Sequence, residues 1–522
     1  MSRRIGMLVG CFLSVGLLAC GGAPVSPQAA PTAPPAPTAP PAPVSAAPVE
    51  PMRLTLPADQ SPAVAIRLFF RAGSSDDPPG LSGLTALAAN LMVEGGTESA
   101  TTFELKQRLF PWAASIDVHV DADVTVFTAQ APRDHWAEFL PVLADVLTHP
   151  RFEPTEFERL RRDAIDDIER RLRTNDDENL GKEALGYLLY AHHPYGHFRG
   201  GSVEGLKHLT LDDVKAQIAR VFCKARLTIG LAGGYPAEAP EMLAQALAAL
   251  PEGGPPAPLP VAQGLPGARV LLVEKNAPAV AISLGAPVAY GRSDPDFFAL
   301  MVGVSAFGEH REFHGRLMRH MREERGLNYG DYAYLEHFAQ DGWSSFPALN
   351  IGRRQQDFSI WLRPVQPGDA LFALRLALSE YEALLRDGLT EAEVATARQF
   401  LEGNARLWLK NDRRRLGIAL DDAFSGTPDR LAAFHAALPR LNAATVNAAL
   451  RAHLPPVNAL RVAIVTAGAA EFKEALVQSR PSPKTYNAEK PKALLDADAA
   501  VSTRPFDFSP ESIQILPASQ LF

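Results

Sequence analysis

The period of apolar positions changes several times along the chain, and each change predicts an element. Ile116, Val118 and Val120, then Val124 and Val126, alternate with polar residues, the pattern of two adjacent antiparallel strands. Leu84, Leu87, Ala88, Leu91 and Met92 instead fall at i, i+3, i+4, i+7 and i+8, the buried stripe of a helix. The run 155–174 carries charge partners four residues apart and reads as an exposed amphipathic helix. Pro62-Ala63-Val64-Ala65-Ile66 recurs letter for letter as Pro278-Ala279-Val280-Ala281-Ile282. Each copy opens a strand-like run, then a turn (Gly73-Ser74-Ser75-Asp76 and Gly291-Arg292-Ser293-Asp294), then a helical stretch. Both halves also end alike: a helix at 211–222 leads into the apolar strand 227–232, and one at 443–450 into 460–465. Matching order at both ends predicts an internal duplication. Strands grouped with helices, without strict alternation, predict an α+β class: two homologous domains, each a mostly antiparallel sheet packed by helices.

Punctuation sets the boundaries. The Gly- and Pro-rich stretch 251–268 can form neither helix nor central strand and predicts a linker between domains at 52–250 and 269–480, with a tail at 481–522. At the other end, Arg3 and Arg4 precede an apolar run, Ile5 to Leu18, too short to span a bilayer comfortably, and 1–20 reads as a signal peptide. Its end, Leu17-Leu18-Ala19-Cys20, resembles a bacterial lipobox, implying cleavage before Cys20 and lipid on its sulfur. Gly21 resembles the pattern that is not retained in an inner membrane, so the expectation is an outer-membrane lipoprotein with its body in the periplasm. Residues 21–51 are Pro- and Ala-rich and predict a stiff extended tether.

Composition narrows the class. With 47% hydrophobic and 21% charged residues among 522, the chain has ample material for large cores. A net charge of −8 without any basic block argues against nucleic acid as a partner. Of three cysteines, Cys11 and Cys20 fall in the leader, leaving Cys223, expected as a small core residue, without an intramolecular partner.

Several landmarks then fall in a telling order: Arg71-Ala72-Gly73-Ser74-Ser75-Asp76-Asp77, Gly83-Leu84 with Leu91-Met92, Gly95-Gly96-Thr97, Asp176-Asp177, His193-Pro194-Tyr195-Gly196, Gly315-Arg316-Leu317, Arg322 to Tyr329, and Gly388-Leu389-Thr390-Glu391. Over about 55–470 this resembles the insulinase/pitrilysin-type metallopeptidases, the family of the mitochondrial processing peptidase, and implies a LuxS/processing-peptidase-like fold. An active member of that family carries His-x-x-Glu-His on the first helix: two imidazoles one turn apart bind zinc and the Glu is general base. Those positions here are Ala86, Ala89 and Asn90, and no such motif occurs among the thirteen histidines. The family's acidic ligand would lie near Asp166–Arg170, where Asp166, Asp167 and Glu169 read as a solvated helix face. No metal is expected in this chain.

In two-chain members the subunit without the zinc motif retains an Arg and a Tyr seven positions apart, and Arg322 and Tyr329 match that spacing. Arg322 is expected in the last turn of a helix beginning near Arg311, ended by a left-handed Gly326, with Tyr329 opening a strand. A guanidinium and a phenol there can donate to a peptide carbonyl and to the oxyanion formed when water attacks it; the competing reading is a cation at a helix end and a half-buried ring. His310 and His314 share helical spacing, but nothing fixes a third ligand, and His192, His193 and His197 read as a shaped loop.

The expectation is a non-catalytic subunit of a membrane-tethered periplasmic zinc metallopeptidase. It would form a heterodimer with a His-x-x-Glu-His partner that holds the zinc, act on peptide, and supply part of the chamber plus Arg322 and Tyr329. The alternatives are a non-enzymatic scaffold or peptide-binding member of the same fold, and an active peptidase with another metal set.

Overall fold

The computed structural model describes residues 50–340 and 346–522. The leader, Cys20 and nearly all of the tether lie outside the described residues.

Two sheets carry the fold. The first is built from β1 (Met52–Pro57), β2 (Ala63–Phe70), β3 (Ser115–Val120), β4 (Thr125–Pro132) and β5 (Leu227–Gly233), in the order β1-β5-β2-β4-β3. The second uses β6 (Val270–Glu274), β7 (Val280–Val288), β8 (Asp331–Tyr334), β9 (Gln356–Val365), β10 (Arg461–Thr466) and β11 (Ile513–Pro517), in the order β11-β6-β10-β7-β9-β8. With β11 set aside the two orders superpose strand for strand. In each, one outer pair is parallel (β1 with β5, β6 with β10) and the other pairs are antiparallel. The repeated pentapeptide lies at the start of β2 and of β7, each between the strand that closes its half and a long partner. The duplication read from two short matches is therefore a duplication of topology.

The halves cover each other. The Asp177–Tyr190 helix of the first half packs on β7 and β10, so that Leu180, Leu185, Ala281, Ala463 and Val465 share one core. Reciprocally, the Asp412–Ser425 helix of the second half lies on β1, β2 and β5, burying Leu416 and Leu420 with Phe69 and Val126. Gly230 permits the close approach: a Cβ there would meet Leu416 and Leu420 at 3.0–3.1 Å. Each fully buried leucine contributes about 1.5–3 kcal/mol, so this exchange of helices is a main reason the halves form one body.

Residues 481–522 are more than a tail. They form the Lys492–Thr503 helix, packed on the Ala370–Arg386 helix, and then β11, which pairs in parallel with β6. The apolar residues Phe506, Phe508 and Ile513 put this segment into the second core. Cys223 is a free thiol, fully buried.

Candidate functional site

The first helix, Leu84–Glu94, starts where Gly83 (φ +99°) lets the chain turn and where Asp77 receives the Gly83 and Thr85 amides at 2.7 and 2.8 Å. Burial raises the Asp77 carboxyl above its ordinary value despite those bonds. Leu84, Leu87, Ala88, Leu91 and Met92 are buried as the periodicity requires, and so, completely, is Ala89. Ala86 and Asn90 face the other way, into a cleft of about 260 Å³ walled by Glu94, Asp163, Asp167 and Gly200.

Of the three acidic residues singled out from sequence, the structure brings only Asp167 to this cleft; Asp166 and Glu169 are exposed. Asp163 and Glu94, which sequence reasoning did not select, join it because the Pro154–Asp166 helix continues into a π-helix, Asp167–Asn175, facing the first helix. Every carboxylate in the cleft is already matched by a cation. Arg171 forks onto Asp167, and Arg159 reaches Asp163 at 3.0 Å, Glu94 at 3.2 Å and Glu156 at 2.9 Å. Two methyl groups, one amide and a carboxylate held by arginine do not form the three-ligand set that a catalytic zinc needs. The residues present do not fit the metal.

Among the described residues one trio brings metal-ligating atoms within 4.8 Å of one another: Asp294, Asp296 and His453. It lies in the second half, where His453 and Asp296 make a 2.9 Å hydrogen bond between two helix ends. His310 and His314 do not converge. The helix expected from Arg311 begins only at residue 316, because Arg311 adopts φ +58° and 309–315 turn instead. His310 bonds Tyr334 Oη at 2.7 Å, while the His314 ring lies 5.0 Å from Phe400. In the 193–196 loop, His193 accepts the Tyr195 amide at 3.0 Å and Tyr195 donates its hydroxyl to Asp123.

Between the halves lies a cavity of about 480 Å³. The Asp177–Tyr190 helix forms one wall with Glu178 and Lys182; β9 forms the other with Trp361 and Arg363. Lys182 bonds Glu178 at 2.6 Å with its ammonium 4.1 Å from the Trp361 ring centre, and Arg363 meets the same carboxylate at 3.2 Å. Against the effect of burial, these cations hold Glu178 below its ordinary value. His310 also lines the cavity; burial, with Arg311 and Lys182 nearby, lowers it to about 4, so it is a neutral imidazole at physiological pH. Two of its lining residues, His337 and Arg353, belong to a cluster of charges that joins the halves. Asp121 takes Arg353 at 3.0 Å and His337 at 3.3 Å, and Asp123 takes Arg354 at 2.8 Å.

Arg322 lies in the last π-wound turn of the helical stretch 316–323, as expected. Gly326 (φ +62°) ends it, its amide bonding the Arg322 carbonyl at 2.8 Å. The Arg322 guanidinium sits 5.2 Å from the Phe313 ring centre and 3.9 Å from Met318 Sδ; among the described residues it makes no ion pair. Tyr329 precedes β8 by two residues, where a strand start was expected, because Gly330 (φ +159°) breaks the extended geometry. Its ring is 79% exposed, the opposite of a half-buried packing residue. Neither Arg322 nor Tyr329 lines the central cavity.

Comparison with known proteins places the chain by family and fold. Residues 53–195 match the insulinase (peptidase family M16) domain and residues 208–401 the peptidase M16 inactive domain. An uncharacterized zinc protease of Mycobacterium bovis is 24% identical over 71% of this chain and 83% of its own length. A non-peptidase homolog of Helicobacter pylori, YmxG, is 24% identical over 70% and 79%. Among solved structures, a peptidase M16 inactive domain from Pseudomonas fluorescens aligns with TM-score 0.69 and 25% identity, over 80% of this chain and 96% of that one. A protease from H. pylori shares the fold with TM-score 0.65 at 16% identity, over 79% and 96%.

Proposed function

Given that the chain belongs to the insulinase (peptidase M16) family, we propose that it is a non-catalytic subunit of a zinc metallopeptidase, pairing with a chain that carries His-x-x-Glu-His. The observation that carries this reading is the contrast between the two positions just described. At Ala86, Ala89 and Asn90 no ligand pair and no base exist, whereas Arg322, which makes no ion pair among the described residues, and the exposed Tyr329 stand as hydrogen-bond donors. In an assembled pair they would donate to the scissile carbonyl and to the oxyanion that replaces it. This chain would also furnish part of the peptide chamber. Under the same reading, Cys20 carries lipid and the tether 21–51 lifts the body from the outer membrane into the periplasm. The zinc belongs to the partner.

Affinity purification through the mature chain tests the proposal. A co-purifying subunit with His-x-x-Glu-His and stoichiometric zinc, and chelator-sensitive peptide cleavage by the pair alone, are expected. Recovery without such a subunit makes the chain a scaffold or peptide-binding member; chelator-sensitive cleavage by the isolated chain makes it an enzyme in its own right. Either result overturns the proposal.

A further inference from the structure

The helix end that presents Arg322 is not held by its own neighbours alone. Arg325, three residues on, is buried, and its Nε meets Asp498 of the Lys492–Thr503 helix at 2.7 Å; Asp498 is buried too and also accepts the Tyr486 hydroxyl. Lys490 donates to the Glu324 carbonyl, one of the acceptors that a helix end leaves open. The segment 481–522 thus grips the turn between Arg322 and Tyr329 through a buried ion pair and a carbonyl cap.

The same segment continues to the other half of the molecule. Lys484 pairs with Asp369 at 3.0 Å, buried Arg375 bonds Ser482 and the Arg504 carbonyl, and β11 joins the second sheet. Beyond β11, the Leu521 and Phe522 carbonyls accept from Arg173 at 2.8 and 2.9 Å, on the π-helix that faces the vacated metal position. Phe522 also accepts the Val203 amide at 2.9 Å, and its ring lies 6.0 Å from Phe198, in the loop whose Gly200 walls the cleft. One stretch of chain therefore bonds both to the Arg322 turn and to elements of the first half, the π-helix through Arg173 and the segment after Gly200 through Val203.

We propose that residues 481–522 are an intramolecular strap that positions Arg322 and Tyr329, with Asp498 and Lys490 as positioning residues at one end and Arg173 as the anchor at the other. The role given to Arg322 and Tyr329 rests on the proposed function; the strap itself does not. Two independent fixings, at a buried carboxylate and at a carbonyl, remove freedom from a turn that also holds itself through the bonds of Gly326 to Arg322 and of Leu327 to Met321 (3.1 Å), of the Arg325 guanidinium to the His320 carbonyl (2.8 Å) and of the Asn328 side-chain amide to the Arg363 carbonyl (2.9 Å).

Hydrogen exchange on the isolated mature chain tests the strap. In Asp498→Asn, the Gly326 and Leu327 amides are expected to exchange at least tenfold faster, while amides of β2 and β4 keep their rates. Unchanged exchange at Gly326 and Leu327 overturns the strap. Should Asp498→Asn not fold, Lys490→Ala makes the same test, since it removes the bond to the Glu324 carbonyl and the contact with the Tyr486 ring, both made by the strap, and leaves the buried ion pair in place. Arg173→Ala is expected to speed the Val203 amide and, through the strap, Gly326; acceleration confined to Val203 overturns the link between the ends.

Turnover by the purified pair then separates the strap from the reading it rests on. Lys490→Ala is expected to lower kcat several-fold at constant KM, and to lower it no further in a background that lacks both donors (Arg322→Ala with Tyr329→Phe); additive losses there overturn the positioning role. If Arg322→Ala itself leaves turnover intact, the proposed function fails, and the exchange rates alone decide the strap.

Discussion

The cleft beside Asn90 and the turn from Arg322 to Tyr329 occupy the two halves of a duplicated fold, and they differ in how their polar groups are satisfied. In the cleft, Glu94, Asp163 and Asp167 are neutralised in place by Arg159 and Arg171, and Ala89 is sealed in the core. At the turn, the charged groups that hold the backbone (Arg325, Asp498, Lys490) are paired, but the outermost donors are not: Arg322 rests on an aromatic ring and Tyr329 projects outward. A site whose charges are all matched internally has nothing left to offer a ligand. Among the described residues no carboxylate engages the donors of the turn, and under the proposed function these are the groups left to meet a substrate.

The sharpest way to break the comparison is to remove the donors. In the assembled pair, Arg322→Ala and Tyr329→Phe should each lower turnover by about 10² to 10³, on the order of 3 kcal/mol, because such donors act mainly in the transition state. Thermal melting of the chain alone should move little, since Tyr329 is exposed and Arg322 makes no ion pair among the described residues. The opposite pattern, an earlier melt with normal turnover, would assign both residues to stability.

Restoring the other site should fail. Ala86→His, Ala89→Glu and Asn90→His together recreate the motif, but Glu at 89 enters a fully buried position among Leu87, Ala88 and Met92. Burying a carboxylate without a partner there costs about 2–4 kcal/mol, and Asp167 remains engaged by Arg171. The expected outcome is an earlier melt and weak zinc binding well below one equivalent, read by metal analysis after gel filtration. Tight stoichiometric zinc in the triple variant would show that the cleft had kept its supporting shell.

A third prediction uses the strand that follows Tyr329. Asp331 is fully buried; Oδ1 accepts from Asn328 at 2.6 Å, Oδ2 is unpartnered, and burial raises the carboxyl to about 8. A folded value above the unfolded one means that the native state holds the proton more tightly between about pH 4 and pH 8. The stability from that proton is complete below pH 4 and is lost as pH rises through 8. Asp331→Asn should therefore melt like wild type at pH 4 and be more stable at pH 8.5, by on the order of 2 kcal/mol. Equal stability gains at both pH values would locate the effect in packing instead of ionisation.

Much of this architecture was legible in the residues. The pentapeptide repeat and the helix-to-strand endings located β2, β7, β5 and β10 because central strands are continuous apolar runs with sharp boundaries. The stripe through Leu84 and Met92 gave the first helix, and seven-residue spacing placed Arg322 and Tyr329 on one turn. What stayed hidden depends on contacts far apart in sequence. Nothing local to Arg159 says that it bridges Glu94, and nothing local to Asp498 says that it meets Arg325, 173 residues away. The π-helix at Asp167–Asn175 was hidden for a related reason: its charged residues suit an ordinary helix equally well, and only its packing selects the wider winding. The helix expected from near Arg311 starts at 316 because the backbone at Arg311 takes a left-handed φ of +58°, which its side chain does not announce.

The smallest expected effect is the most telling about the cleft. Arg171→Ala deletes the cation that occupies Asp167, the one acidic residue of the predicted set that faces Asn90. Both side chains are about half exposed, so solvent screens the pair, and its loss should cost no more than about 1 kcal/mol. For a chain of this size that is a shift of a few degrees at most. The freed carboxylate still has no imidazole beside it, and Glu94 and Asp163 stay engaged by Arg159, so no metal set forms, and turnover of the pair should stay within twofold of wild type. The internal control is Arg322→Ala in the same assay, where loss of another half-buried arginine is expected to be at least fiftyfold worse. A tenfold loss of turnover from Arg171→Ala would mean that the neutralised cleft still contacts the substrate, and the division between a silenced position and a retained one would no longer hold.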